Sequence, residues 1–104
     1  MRATASESRY LGRVAMLPCV LCTYLGMHQY SRTCAHHIKE GTGIGERSQH
    51  WLAVALCEEH HQGASGIHGL GTKGFYTRYK LDELDLLALT IQALHFKLEL
   101  LRAA

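Results

Sequence analysis

Two short pairs of soft ligands, Cys19-x2-Cys22 and Cys57-x2-His60, stand in a chain of 104 residues. A tetrahedral zinc ion takes four such donors, and two close pairs supply them when their chain segments converge. If both pairs hold one ion, everything between Cys22 and Cys57 must leave and return to the same point. A lone Cys-x2-Cys would say little; the second pair makes the constraint strong. Four cysteines could instead form two disulfides. Met1 to Tyr10 is polar, however, with no hydrophobic signal-peptide core, and no apolar stretch approaches the ~18 residues of a membrane span. The expectation is a protein of the reducing cytoplasm, without a membrane anchor, whose thiols serve a metal.

The length fits a single domain over residues 1–104. With 47% hydrophobic and 19% charged residues it can bury a core, and a net charge of +2 excludes a basic disordered tail. The charge is uneven: nine Lys/Arg face five Asp/Glu through Lys80, against two and four beyond it. An anionic partner should therefore meet the first four-fifths of the chain.

Tyr10, Val14 and Leu17 recur at helical spacing, so Ser6 to Leu17 reads as an amphipathic helix stopped by Pro18. Cys19 to Cys22 reads as a tight turn entering a polar loop around Met27, His28 and Gln29. Tyr30 to Ile38 and Trp51 to Leu56 read as two strands that can form a hairpin, joined through Gly41, Gly43 and Gly45. A polar helix starts at Cys57 and is broken by Gly63, Gly66, Gly69, Gly71 and Gly74. A second short helix holds Phe75, Tyr76 and Tyr79. Asp82, with Asp85 three residues on, reads as the cap of a final helix. There Leu84, Leu87, Ala88, Ile91, Leu94, His95, Leu98 and Leu101 form one apolar stripe, expected to cover the core, with a dimer or partner surface as the other use.

All four cysteines, and every histidine but His95, fall within residues 19–68. Once Cys19, Cys22, Cys57 and His60 are given to a structural Zn2+, His36, His37, His61 and His68 remain clustered in sequence. Surplus ligands suggest a second ion, and a catalytic site keeps coordination positions open. Adjacent strand residues face opposite sides, so one of His36 and His37 can reach an ion while the other holds a water. His61 lies about 100° around the helix from His60, so the two can serve neighbouring sites. Cys34 is left over and reads as a buried free thiol, or as a substitute for Cys22 or Cys57. His28 reads as a solvated loop residue.

The succession Cys-x2-Cys, Ala35-His36-His37-Ile38-Lys39, a glycine hinge, Leu56-Cys57-Glu58-Glu59-His60-His61 and a later His68 resembles the HNH nucleases, a His-Me finger family. The runs Ala35 to Gly45 and Leu56 to Gly71, with Phe75-x3-Tyr79 and Leu84-Asp85-Leu86-Leu87, resemble more closely the phage recombination-enhancement (Ref) group of RecA-dependent nucleases. This resemblance implies an α+β fold: a small ββα-metal core with a zinc knuckle and flanking N- and C-terminal helices. It implies that His36, His61 and His68 bind a catalytic divalent metal (Mg2+, Mn2+ or Zn2+) and that His37 is the general base. It also implies DNA as substrate and a RecA filament as partner. The chain contains no Asn. The orienting role of the middle HNH letter then falls to His50 or Gln49, or to no residue, with His50 favoured.

The chemistry is sound on its own terms. A phosphodiester's negative charge repels hydroxide, so hydrolysis needs a cation on its oxygens and a base for the attacking water. Imidazole, with its pKa of ~6.5, suits that second task. Arg32, Lys39, Arg47 and Lys73 flank the cluster and are candidates for neighbouring phosphates. The rival is a non-catalytic zinc module that binds DNA or protein, for which His37 would have no purpose. A metal-storage or sensing protein fits the ligand count but not the ordered strand and helix placement.

Overall fold

A computed structural model describes residues 2–39 and 49–103. The glycine hinge at 41, 43 and 45 and Arg47 lie outside the described residues. Helix α1 (Ala5–Ala15) opens at Thr4, whose hydroxyl accepts the Glu7 N–H at 3.2 Å while the Glu7 carboxylate accepts the Thr4 N–H at 2.8 Å. This reciprocal capping box satisfies two otherwise orphaned amides and sets the helix start ahead of Ser6. Tyr10 packs on Trp51 with ring centroids 4.9 Å apart.

The tight cysteine turn expected after Pro18 is instead the start of a helix, α2 (Val20–Leu25), and the polar loop around Met27, His28 and Gln29 follows it. Cys19 is its N-cap, with its sulfur 3.4 Å from the Cys22 N–H, and Gly26 closes it in the left-handed conformation at φ 67°. Sulfurs three residues apart on one turn face the same way. A sulfur cap is weaker than a Ser or Asp cap, so this start carries little propensity signal.

Strands β1 (Thr33–His37) and β2 (Ala53–Cys57) pair antiparallel, from Thr33 opposite Cys57 to His37 opposite Ala53. They form the expected hairpin, trimmed at its ends. Every residue of β2 is buried, because α1, α2 and α5 all pack on it. Cys57 ends β2 and caps α3 (Glu58–His61) without an intervening residue. Helix α4 (Ile67–Tyr79) is kinked at Gly71, where φ is 75°.

The return from α3 to α4 is tight enough to demand glycine. A Cβ on Gly66 would lie 2.5 Å from the Glu59 carbonyl oxygen, and one on Gly69 would strike the Gly63 carbonyl oxygen. These glycines, read from sequence as breakers, allow α4 to begin against α3, and so bring His68 back to His61. Gly69→Ala is expected to lower stability by about 1–3 kcal/mol in a denaturant titration, the overpacking cost exceeding the ~1 kcal/mol gained in helix propensity. A stabilised variant would refute the close contact.

Helix α5 (Glu83–Ala103) starts as read: Asp82 and Asp85 accept each other's backbone N–H at 2.8 and 2.9 Å. Its inner face is the expected stripe only in part: Leu87 and Leu94 pack against the core. Leu84, Ile91, Leu98 and Leu101 are 50–66% exposed, whereas Leu86 and Thr90 are fully buried. Thr90 explains the rotation. Its hydroxyl donates to the Leu86 carbonyl at 2.9 Å and accepts the Ala55 N–H at 3.3 Å. That amide of β2 would otherwise be buried without a partner, at a cost of ~1–3 kcal/mol. Among the described residues no helix is long and apolar enough to cross a membrane.

Candidate functional site

Two clusters of ligating side chains form around α3. In the first, Cys19 and Cys22 from α2 meet Cys57 and His60, all four buried. The His60 Nδ1 lies 3.7, 3.5 and 3.3 Å from the sulfurs of Cys19, Cys22 and Cys57, and the sulfurs of Cys22 and Cys57 are 3.8 Å apart. A zinc tetrahedron with bonds of about 2.3 Å to sulfur and about 2.0 Å to nitrogen has edges of about 3.8 and 3.5 Å. The four donors fit it. All four cysteines of the chain are free thiols, so the disulfide alternative drops out.

Burial pushes the Cys19 thiol up, against the backbone N–H groups that favour its ionised form, and pushes the Cys22 thiol up to about 12, where the sulfurs of Cys19 and Cys57 add to the effect. Left to themselves these groups resist ionisation; a dication among them reverses the balance, because thiolate is the ligand. Gln29, in the loop that the sequence marks as polar, holds the start of α2 in place. Its side-chain oxygen accepts the Cys19 N–H at 2.7 Å, and its amide donates to the Ser31 carbonyl and the Thr33 hydroxyl.

The second cluster joins His36 of β1, His61 of α3 and His68 in the first turn of α4, with ligand atoms all within 4.8 Å of one another. Ring centroids are 4.8–5.2 Å apart. His36 is buried, His61 half-buried and His68 exposed, so the cluster opens to solvent on one side. Burial lowers the pKa of His36 despite Glu83 beside it, and lowers that of His61 to about 4, helped by His36 and His68. Neutral rings offer lone pairs, as a divalent ion requires, and three nitrogens with an open side make a catalytic type of donor set.

Two partners of these rings escaped sequence reasoning. The buried carboxylate of Glu83 lies 2.6 Å from His36 Nε2. Cys34 is half-buried, not a spare buried thiol: its S–H donates to the Leu56 carbonyl at 3.2 Å, and its sulfur lies 3.1 Å from His61 Nδ1. Nothing in periodicity separates Glu83 from an ordinary acidic residue in the first turn of a helix.

His37 stands outside the cluster, at the end of β1. Its Nε2 is 3.0 Å from Nδ1 of His50, with the rings edge to face, and burial lowers its pKa with His50 and His36 adding to the shift. Of the basic candidates, Lys39 and Lys73 line one cleft of about 600 Å³ together with Thr72, Tyr76, Thr77 and the acidic residues Asp82 and Glu83. Arg32 is elsewhere, paired with Glu58 at 2.8 Å. His28 packs edge-on against Tyr30, with centroids 4.5 Å apart.

Compared with known proteins, the chain matches the family model described as "Recombination enhancement, RecA-dependent nuclease" over residues 3–95. No curated protein and no solved structure matches it.

Proposed function

The chain belongs to the recombination-enhancement, RecA-dependent nuclease family, and from that membership we propose that it is a single-domain, metal-dependent DNA endonuclease of the HNH type, acting in phage recombination. The observation that carries this reading is the open three-histidine cluster alongside a separate, unclustered histidine pair. The order β1, β2, α3, with His36 on the strand and His61 on the helix, supports a ββα-metal core.

Cys19, Cys22, Cys57 and His60 would hold the structural zinc, and His36, His61 and His68 a catalytic divalent ion. That ion, when bound, supplies positive charge to the phosphate and to the departing 3′ oxygen. His37 takes the proton of the attacking water. One proton lies between His37 and His50, and the ring that donates it keeps its other nitrogen free. With Nε2–H of His37 donating to His50, the base is Nδ1 of His37, and His50 holds the ring in orientation. The lowered pKa keeps that base unprotonated at neutral pH. Lys39 and Lys73, across their shared cleft, would hold phosphates flanking the scissile one. Arg32 and Arg47 remain further candidates for the DNA path.

The test is nicking of supercoiled plasmid with and without added divalent metal, and with and without a RecA filament, since the family is RecA-dependent. Cleavage that requires metal is expected. Its absence under all four conditions would leave the family's activity missing from this chain. DNA affinity, followed by fluorescence anisotropy, should fall as salt rises, and Lys73→Ala should reduce the slope of log affinity against log salt by about 1. A slope that this substitution leaves unchanged would remove Lys73 from the phosphate path.

A further inference from the structure

The geometry points to Glu83 as a positioning residue that dictates which nitrogen of His36 faces the catalytic ion. This inference rests on the proposal that His36, His61 and His68 hold that ion. Glu83 is 4% exposed, in the first turn of α5, 47 residues from its partner. A carboxylate so deeply placed is costly unless both oxygens are engaged. One lies 2.6 Å from His36 Nε2, and the other accepts the Lys39 N–H at 3.1 Å.

An ionised carboxylate only accepts, so the shared proton belongs to Nε2 of His36 and the lone pair to Nδ1. Glu83 does not belong to the cluster of three ligand atoms. It engages one ring nitrogen and leaves the other for coordination. Charge transferred along this short hydrogen bond also raises the basicity of the ligating nitrogen. The Lys39 N–H fixes the carboxylate in turn, so the tautomer is set from the backbone of the β1 exit through α5 to the ring.

Glu83→Gln isolates this role, because the amide has the same shape but one acceptor and one donor. Facing its oxygen to Lys39 turns its NH2 toward Nε2, which moves the ring proton to Nδ1, the position the ion needs. The opposite flip sets its NH2 against the Lys39 N–H, leaving that donor without an acceptor. The first flip removes the ligating form of His36; the second keeps Nε2–H on an amide oxygen, a weaker acceptor, and leaves the Lys39 N–H opposed, so neither restores the wild-type arrangement.

Zinc is titrated by calorimetry into protein whose cysteine site is already filled. The wild type is expected to take up one further equivalent, and Glu83→Gln to bind it about 10–100-fold more weakly, with the cysteine-bound zinc retained. Nitrogen-15 spectra of the zinc-loaded wild type should show His36 protonated at Nε2 and metal-bound at Nδ1, a readout that does not depend on the variant folding. Wild-type affinity in Glu83→Gln, or a wild-type His36 protonated at Nδ1, would overturn the role of Glu83 while leaving the three-histidine site intact. A wild type that takes up no second equivalent would instead overturn the site itself, and the inference with it.

Discussion

Cys19→Ala is expected to leave the chain largely unfolded, with its helical circular dichroism lost and its zinc content reduced to background. The proposed structural ion stands to contribute about 10 kcal/mol or more to folding, against a net stability of about 5–15 kcal/mol for an ordinary domain. Losing it consumes most or all of that margin. The alanine also removes the sulfur that caps α2 and faces His60. The three remaining donors would face one another in a dry pocket where burial already opposes thiol ionisation. A folded Cys19→Ala protein with the zinc content of the wild type would dismiss the knuckle.

His37→Ala separates chemistry from scaffold. The side chain is half-buried at the end of β1 and belongs to neither ligand cluster. Its removal frees His50 from one hydrogen bond, a cost of ~1 kcal/mol. The variant should therefore fold and bind metal as before. Metal-dependent plasmid nicking, if His37 is the base, should fall by about 10²–10⁴-fold. Cleavage at the wild-type rate would transfer the role of base to another group.

The two clusters of Cys and His were legible because the spacing of those residues is short and their chemistry narrow. Cys19, Cys22, Cys57 and His60 converge on one point, and His36, His61 and His68 on another, with His68 in a fresh helical turn beyond the glycines. The hairpin was legible too, as a short stretch ending in His36-His37 and an apolar run from Trp51 to Leu56. What escaped depended on contacts between distant segments. Glu83 and His36 are 47 residues apart, and a carboxylate at a helix start already has an ordinary explanation in the dipole. Thr90 counts as polar in any pattern, yet the outward amide of Ala55 makes it the most buried kind of position and leaves Leu84, Ile91, Leu98 and Leu101 of the stripe exposed. Helix α2 was read as a turn because a cysteine sulfur is an unusual cap.

The adjacency of His60 and His61 on the four-residue helix α3 has a mechanical consequence. One ring faces the thiolate pocket and the next faces the open cluster, so the two sites share a single peptide unit. On the proposed assignment, withdrawing the structural ion would loosen the lever on which His61 is mounted, making cutting conditional on an intact scaffold. A chelator strong enough to strip the knuckle should thus disarm the nuclease as a whole, and resupplying magnesium or manganese alone should not rearm it.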